Sequence, residues 1–201
     1  MKKLPYFTLG LAGLSTLIQI FPAFQHLFQW DRTAIAEGEI WRIVTGHLSH
    51  WTPSHFAWDL IVFIILGLIL EQRSRKTLIL STLTTIALSH IALSYFSEYI
   101  HYRGLSAIDT AFFAHGLLLW ASHSFRSRNI ASGTLSLIAF IGMILKTIIE
   151  LRHPDPIFSS SLGQGINVAT ITHIAGLSSA ILIQFRKTPT LFLNKRFQPF
   201  V

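Results

Sequence analysis

A serine hydroxyl is a poor nucleophile until a base takes its proton, and a neutral imidazole within hydrogen-bond reach is the usual base. Ser106 and His173 offer those two groups, each near the start of an apolar segment. Gly104, two residues before Ser106, allows the backbone to enter its helix below a membrane surface, where irregular backbone is tolerated only under cover of protein or water. Gly176 and Ala180 stand four apart and make a small face that lets a neighbouring helix come close. Close approach there brings His173 to Ser106. A tetrahedral intermediate also needs donors aimed at its oxyanion, and His55 with the Ser106 amide are the candidates, supported by His50. Asp59 lies one turn beyond His55 on the same helix face. A carboxylate cannot donate to an oxyanion, so Asp59 is either protonated through burial or orients His55; orientation is the preferred reading. These are the parts of a serine hydrolase site, with a Ser106–His173 dyad at its centre.

The elements that must carry these residues are membrane helices. Of the 201 residues 51% are hydrophobic and 12% charged, with mean hydropathy +0.51, which is more apolar surface than a soluble domain needs. Six segments are each long enough to cross a hydrocarbon core of about 20 helical residues: 5–24, 53–70, 77–96, 105–122, 131–151 and 168–185. Residues 1–187 form one membrane domain, and 188–201 a basic, aromatic tail suited to a membrane surface. A net charge of +7 would point to nucleic acid in a soluble protein. Here Lys2–Lys3, Arg73–Arg75–Lys76, Arg126–Arg128 and Arg186–Lys187–Lys195–Arg196 all fall on one side if six segments alternate. The positive-inside rule then puts both termini in the cytoplasm and excludes a nucleic-acid partner. The long outer connections, 25–52 and 152–167, are expected to be functional or mobile. Trp30, Trp41, Trp51 and Trp58 form an interfacial belt around the first of them. Absence of cysteine excludes disulfides, a thiol nucleophile and thiolate metal sites.

Taken together, Trp41–Arg42, His50 with His55 and Asp59, Gly104-Leu105-Ser106-Ala107 and Thr172-His173-Ile174-Ala175-Gly176 resemble, in order and spacing, the rhomboid family of intramembrane serine proteases. The resemblance implies a six-helix all-α membrane bundle with Ser106 as nucleophile, His173 as base and His55 with the Ser106 amide as oxyanion site. Trp41 and Arg42 belong, on that likeness, to a structural outer loop resting in the interface. Asp59 stands where most members have asparagine, Ala107 where they have glycine, and Thr172 where alanine is usual. Thr110 replaces a tyrosine that packs on the histidine in many members, so another group must orient His173. Asp109, three residues past Ser106, either supplies that hydrogen bond or makes an interhelical polar contact. Asp59, the run Tyr102-Arg103-Gly104-Leu105-Ser106, and Lys146 with Glu150 are similar to the bacterial rhombosortase-like branch. That likeness implies a multi-pass protein of the bacterial inner membrane, its site opening to the periplasm, acting on C-terminal sorting helices of exported proteins.

The implied partners are membrane proteins with a transmembrane segment and the lipid bilayer; no cofactor or metal is expected. Lys146 and Glu150, four apart, read as an ion pair that neutralises itself near the outer end of the fifth segment, or as a gate for substrate. Two other function classes fit the composition. A rhomboid-fold protein without catalysis would bind membrane helices. Ten histidines in a helical bundle could instead ligate haem or metal, which requires opposed pairs at matched depth such as His90 with His115.

Overall fold

Proline lacks an N–H and pushes the residue before it out of helical geometry. Phe21 accordingly takes an extended conformation (φ −105°, ψ 105°) before Pro22, and the chain bends by 116° between α1 (Tyr6–Ile20) and α2 (Pro22–Phe28). The straight segment expected over 5–24 is therefore broken. The structure, a computed structural model, describes residues 4–152 and 168–191. Beyond α2 come β1 (Trp30–Asp31), α3 (Arg32–Ala36), α4 (Arg42–Thr45), a 3₁₀ turn (Gly46–Leu48), α5 (Pro53–Tyr95), β2 (His101–Tyr102), α6 (Ser106–Arg126), α7 (Ile130–Arg152) and α8 (Thr170–Leu191). The two short strands pair antiparallel, Trp30 opposite Tyr102.

A straight helix of 43 residues would run about 65 Å, twice the thickness of a hydrocarbon core. Both ends of α5 nevertheless lie in one layer. His55 packs against Gly104, whose N–H donates to the Gly46 carbonyl at 3.2 Å. Near the other end, Arg32 donates to the carbonyls of Leu93, Ser94 and Ser97. The chain thus folds back at Ser74, which has non-helical φ −162° and ψ 98°. Its limbs, 53–73 and 75–95, correspond to the second and third expected segments.

Close to the turn, Glu71 is buried and accepts bonds from Phe7 N–H (3.1 Å), Thr8 N–H (2.8 Å), Thr8 Oγ1 (2.7 Å) and Arg75 Nε (2.7 Å). A carboxylate so placed satisfies first-turn amides of α1 and complements its dipole. Gly67 lets the α1 backbone come close, since a Cβ there would meet Thr8 Cγ2 at 2.6 Å.

Packing is inverted relative to a soluble protein. Leu135, Ile138, Ile141, Leu145, Ile148 and Ile149 of α7 are exposed, whereas Thr8, Ser15, Thr85, Ser89 and Ser179 are wholly buried. Small and hydroxylated residues favour contacts between helices in lipid. The apolar core sits where α5 meets α6, with Phe63 and Phe112 stacked at 5.6 Å. Among the described residues α5 and α7 are long and apolar enough to cross a membrane, and the bent pair α1–α2 makes a third candidate. The apolar part of α8, Thr170–Phe185, is shorter. α6 packs against α5, α7 and α8, so Asp109 and His115 are buried against protein rather than lipid. The chain is a multi-pass helical membrane protein. The boundary expected at residue 187 falls inside α8; Lys2, Lys3, His153, Lys195, Arg196 and most of the 152–167 connection lie outside the described residues.

Candidate active site

Ser106 is the first residue of α6, so its amide is one of the first-turn donors that a helix leaves without an internal partner. What places it there is the backbone before it. Gly104 has φ +135°, a conformation that side chains rarely allow, and a Cβ at this position would lie 3.0 Å from the His55 ring and 3.3 Å from Asp59 Oδ2. Tyr102 Oη donates to the Gly104 carbonyl at 2.8 Å, and the Leu105 N–H points at His50 Nε2 from 3.4 Å. Arg103 is buried. Its guanidinium donates to Gln29 Oε1 (2.8 and 3.0 Å) and Gln25 Oε1 (3.2 Å) and lies 4.3 Å from the Trp51 ring centre, tying α2 to the entrance of α6.

His173 reaches Ser106 because α6 and α8 touch backbone to backbone. A Cβ on Gly176 would come within 2.3 Å of the Ala107 carbonyl oxygen, and Ala180 is fully buried beside Ala114. One turn before that contact, His173 Nε2 lies 3.1 Å from Ser106 Oγ. Its Nδ1 lies 3.2 Å from Glu150 Oε2, and the other oxygen of Glu150 accepts from Lys146 Nζ at 2.6 Å. His173 and Glu150 are 7% and 3% exposed, so their contact is shielded from water.

Asp59 Oδ2 lies 3.2 Å from Nε2 of His55 and 3.4 Å from Nε2 of His50. The two rings meet edge to face at 5.1 Å. One carboxylate oxygen thus faces both imidazoles. Asp109 makes no hydrogen bond with His173 among the described residues. It is buried, its Oδ1 has no hydrogen-bond partner, and the Nδ1 side of the His173 ring is taken by Glu150 from α7.

Asp109 lines, with Asp59, Ser106, Gly142, Lys146 and His173, a cavity of about 470 Å³ among α5, α6, α7 and α8. That volume suits a peptide side chain and its flanking backbone.

Trp41 is exposed at 44% on the connection between α3 and α4, and Arg42 beside it is buried. Arg42 bonds Glu39 at 2.6 Å and the carbonyls of His26 and Gln29 at 2.8 and 3.1 Å, away from Ser106. It holds the loop. His47 stands behind Tyr102, and burial pushes its imidazole down to about 4, so it is neutral at physiological pH. His90 accepts from Trp30 Nε1 at 3.2 Å in the outer layer, while His115 lines a small cavity with Leu70, Arg73 and Ser74 at the turn. The matched-depth pair that haem or metal ligation would require is therefore not formed by these two.

The sequence paired Glu150 with Lys146, as a self-neutralising pair or a gate, and placed Arg103 in the Tyr102–Ser106 run, without joining Glu150 to His173 or Arg103 to Gln25 and Gln29. A signal for Glu150 was present: an acid on an apolar helix, close to its outer end, with a single cation to satisfy two oxygens. The geometry as a whole joins a hydroxyl and an imidazole at the wall of a cavity to a carboxylate behind them, which is the equipment for acyl transfer.

No curated protein matches the chain. The family model of the rhomboid domain matches residues 37–189, a span that holds Ser106, His173, Glu150, His55 and Asp59 together. With well over half of its length matched and that constellation inside the match, the chain belongs to the rhomboid family of intramembrane proteases.

Proposed function

We propose that the protein is an intramembrane serine endopeptidase that cleaves a peptide bond in or next to a substrate transmembrane helix. The observation that carries this is the 3.1 Å approach of His173 Nε2 to Ser106 Oγ at the wall of the cavity. Ser106 Oγ attacks the scissile carbonyl carbon as His173 takes its proton. The C–N bond then breaks and the amine leaves with that proton. Water, deprotonated by His173, attacks the acyl ester and restores Ser106. The Ser106 amide and His55 are the candidate oxyanion donors. A substrate helix must unwind locally to present its peptide group, so helix-destabilising residues near the scissile bond favour cleavage.

Six spans with both termini cytoplasmic complete the reading, supported by the reversal of α5 at Ser74 beside Arg73, Arg75 and Lys76. On this topology the site opens to the outer face, the periplasm of a bacterial inner membrane. The likeness of Asp59 and the Tyr102–Ser106 run to the rhombosortase-like branch supports a C-terminal sorting helix as substrate.

The test is labelling of membranes by a fluorophosphonate. The parent protein is expected to label, and Ser106→Ala and His173→Ala to lose at least about 100-fold of that rate. Equal labelling of all three, or none of a folded parent, overturns the reading in favour of a helix-binding protein without catalysis.

A further inference from the structure

We propose that Glu150 is a positioning residue for the reaction, so that the working unit is a Ser106–His173–Glu150 relay rather than a dyad. This rests on the protease reading above. For His173 to take the serine proton, Nε2 must carry the lone pair, and Nδ1 must then carry the hydrogen. That N–H needs an acceptor, and Glu150 Oε2 is 3.2 Å from it. The acceptor comes from a different helix, α7, and from 23 residues away in sequence.

Three further observations separate this from an ordinary ion pair of Lys146 with Glu150. The carboxylate is 3% exposed, with Oε1 accepting from Lys146 Nζ and Oε2 turned inward to the imidazole. A buried carboxylate is retained only where its lone pairs are met, and here the ammonium and the ring meet them from opposite sides. Asp109, the other acid within reach of Ser106 on α6, makes no hydrogen bond with His173 among the described residues. Glu150 therefore fixes the tautomer and the plane of His173, and its charge stabilises the imidazolium that forms when Ser106 gives up its proton. Lys146 holds the carboxylate in the rotamer that reaches the ring.

The full-length protein in detergent, inactivated by a fluorescent fluorophosphonate, separates the possibilities through the maximal inactivation rate and the concentration for half of that rate. Glu150→Gln keeps the shape and an acceptor oxygen but removes the charge. Its maximal rate is expected to fall about 100-fold with the half-saturating concentration changed less than about threefold, as for an interaction made mainly in the transition state. Glu150→Asp is expected to recover at least about a tenth of the parent rate, and Lys146→Met to lose about three- to tenfold. Thermal midpoints of all variants establish folding. Should Glu150→Gln fail to fold, Glu150→Asp and Lys146→Met decide: parent rates in both overturn the proposal. Parent rates in a folded Glu150→Gln, or a change confined to the half-saturating concentration, likewise reduce Glu150 to a packing role while the protease reading stands, provided Ser106→Ala is inert. A parent that does not label at Ser106 overturns both.

Discussion

Gly104 shows how much of the site depends on a side chain that is missing. Its φ of +135° is open to glycine alone, and the space a Cβ would need is filled by the His55 ring and Asp59. Gly104→Ala is expected to cost about 1–3 kcal/mol through backbone strain. Because the strain falls two residues before Ser106, fluorophosphonate labelling should drop more than about tenfold while the protein remains folded in detergent. Full labelling would show that the loop absorbs the methyl. At this scale Ser106, His173, Gly104 and Gly176 were legible in the sequence, because each belongs to a short motif in which chemistry and backbone demand coincide. Glu150 was legible only in half. The i, i+4 spacing to Lys146 is a local signal, whereas its contact with His173 is made by tertiary packing of α7 on α8, which no local spacing reports. Asp109 was open to two readings from its position on α6, a partner of the ring or an interhelical polar contact, and its side chain lines the cavity.

Two of the helical elements owe their ends to long-range partners. Arg32 satisfies carbonyls at the end of α5 from a residue more than 60 positions away, and Glu71 satisfies the start of α1. Neither charge announces this role in the sequence, since capping by a residue remote in sequence leaves no capping-box pattern. Replacing Glu71 by Ala leaves the buried hydroxyl of Thr8 and the α1 amides without their acceptor and removes a charge matched to the helix dipole. The expected loss is about 3 kcal/mol, read as a lower thermal midpoint in detergent. Labelling of Ser106 at low temperature should persist, because α1 joins the bundle through α5 and does not line the cavity. A midpoint unchanged from the parent would contradict the capping role. The break at Phe21–Pro22 belongs to the same scale: a hydropathy window runs straight through a proline, and only the restriction it imposes on the preceding residue marks the bend.

For the whole molecule, the bundle and its membrane character followed from composition, and the reversal within α5 from the basic cluster at its middle. The outer layer did not. The antiparallel pair of Trp30–Asp31 with His101–Tyr102 is too short for any alternating pattern to announce it. The absence of cysteine allows the proposed topology to be checked with single introduced thiols. Glu37→Cys, exposed in the outer connection, is expected to react with a membrane-impermeant maleimide on intact spheroplasts, and Ser127→Cys, exposed between α6 and α7, only after lysis. The reverse pattern would invert the orientation.

The contact of Gly176 with the Ala107 carbonyl is made between main chains, with no side chain interposed. The separation of Ser106 and His173 is consequently insulated from drift in the surrounding residues. The lipid-facing positions of α7 are free to diversify through many apolar alternatives, and so to follow changes in bilayer composition, while Ser106 and His173 keep their spacing.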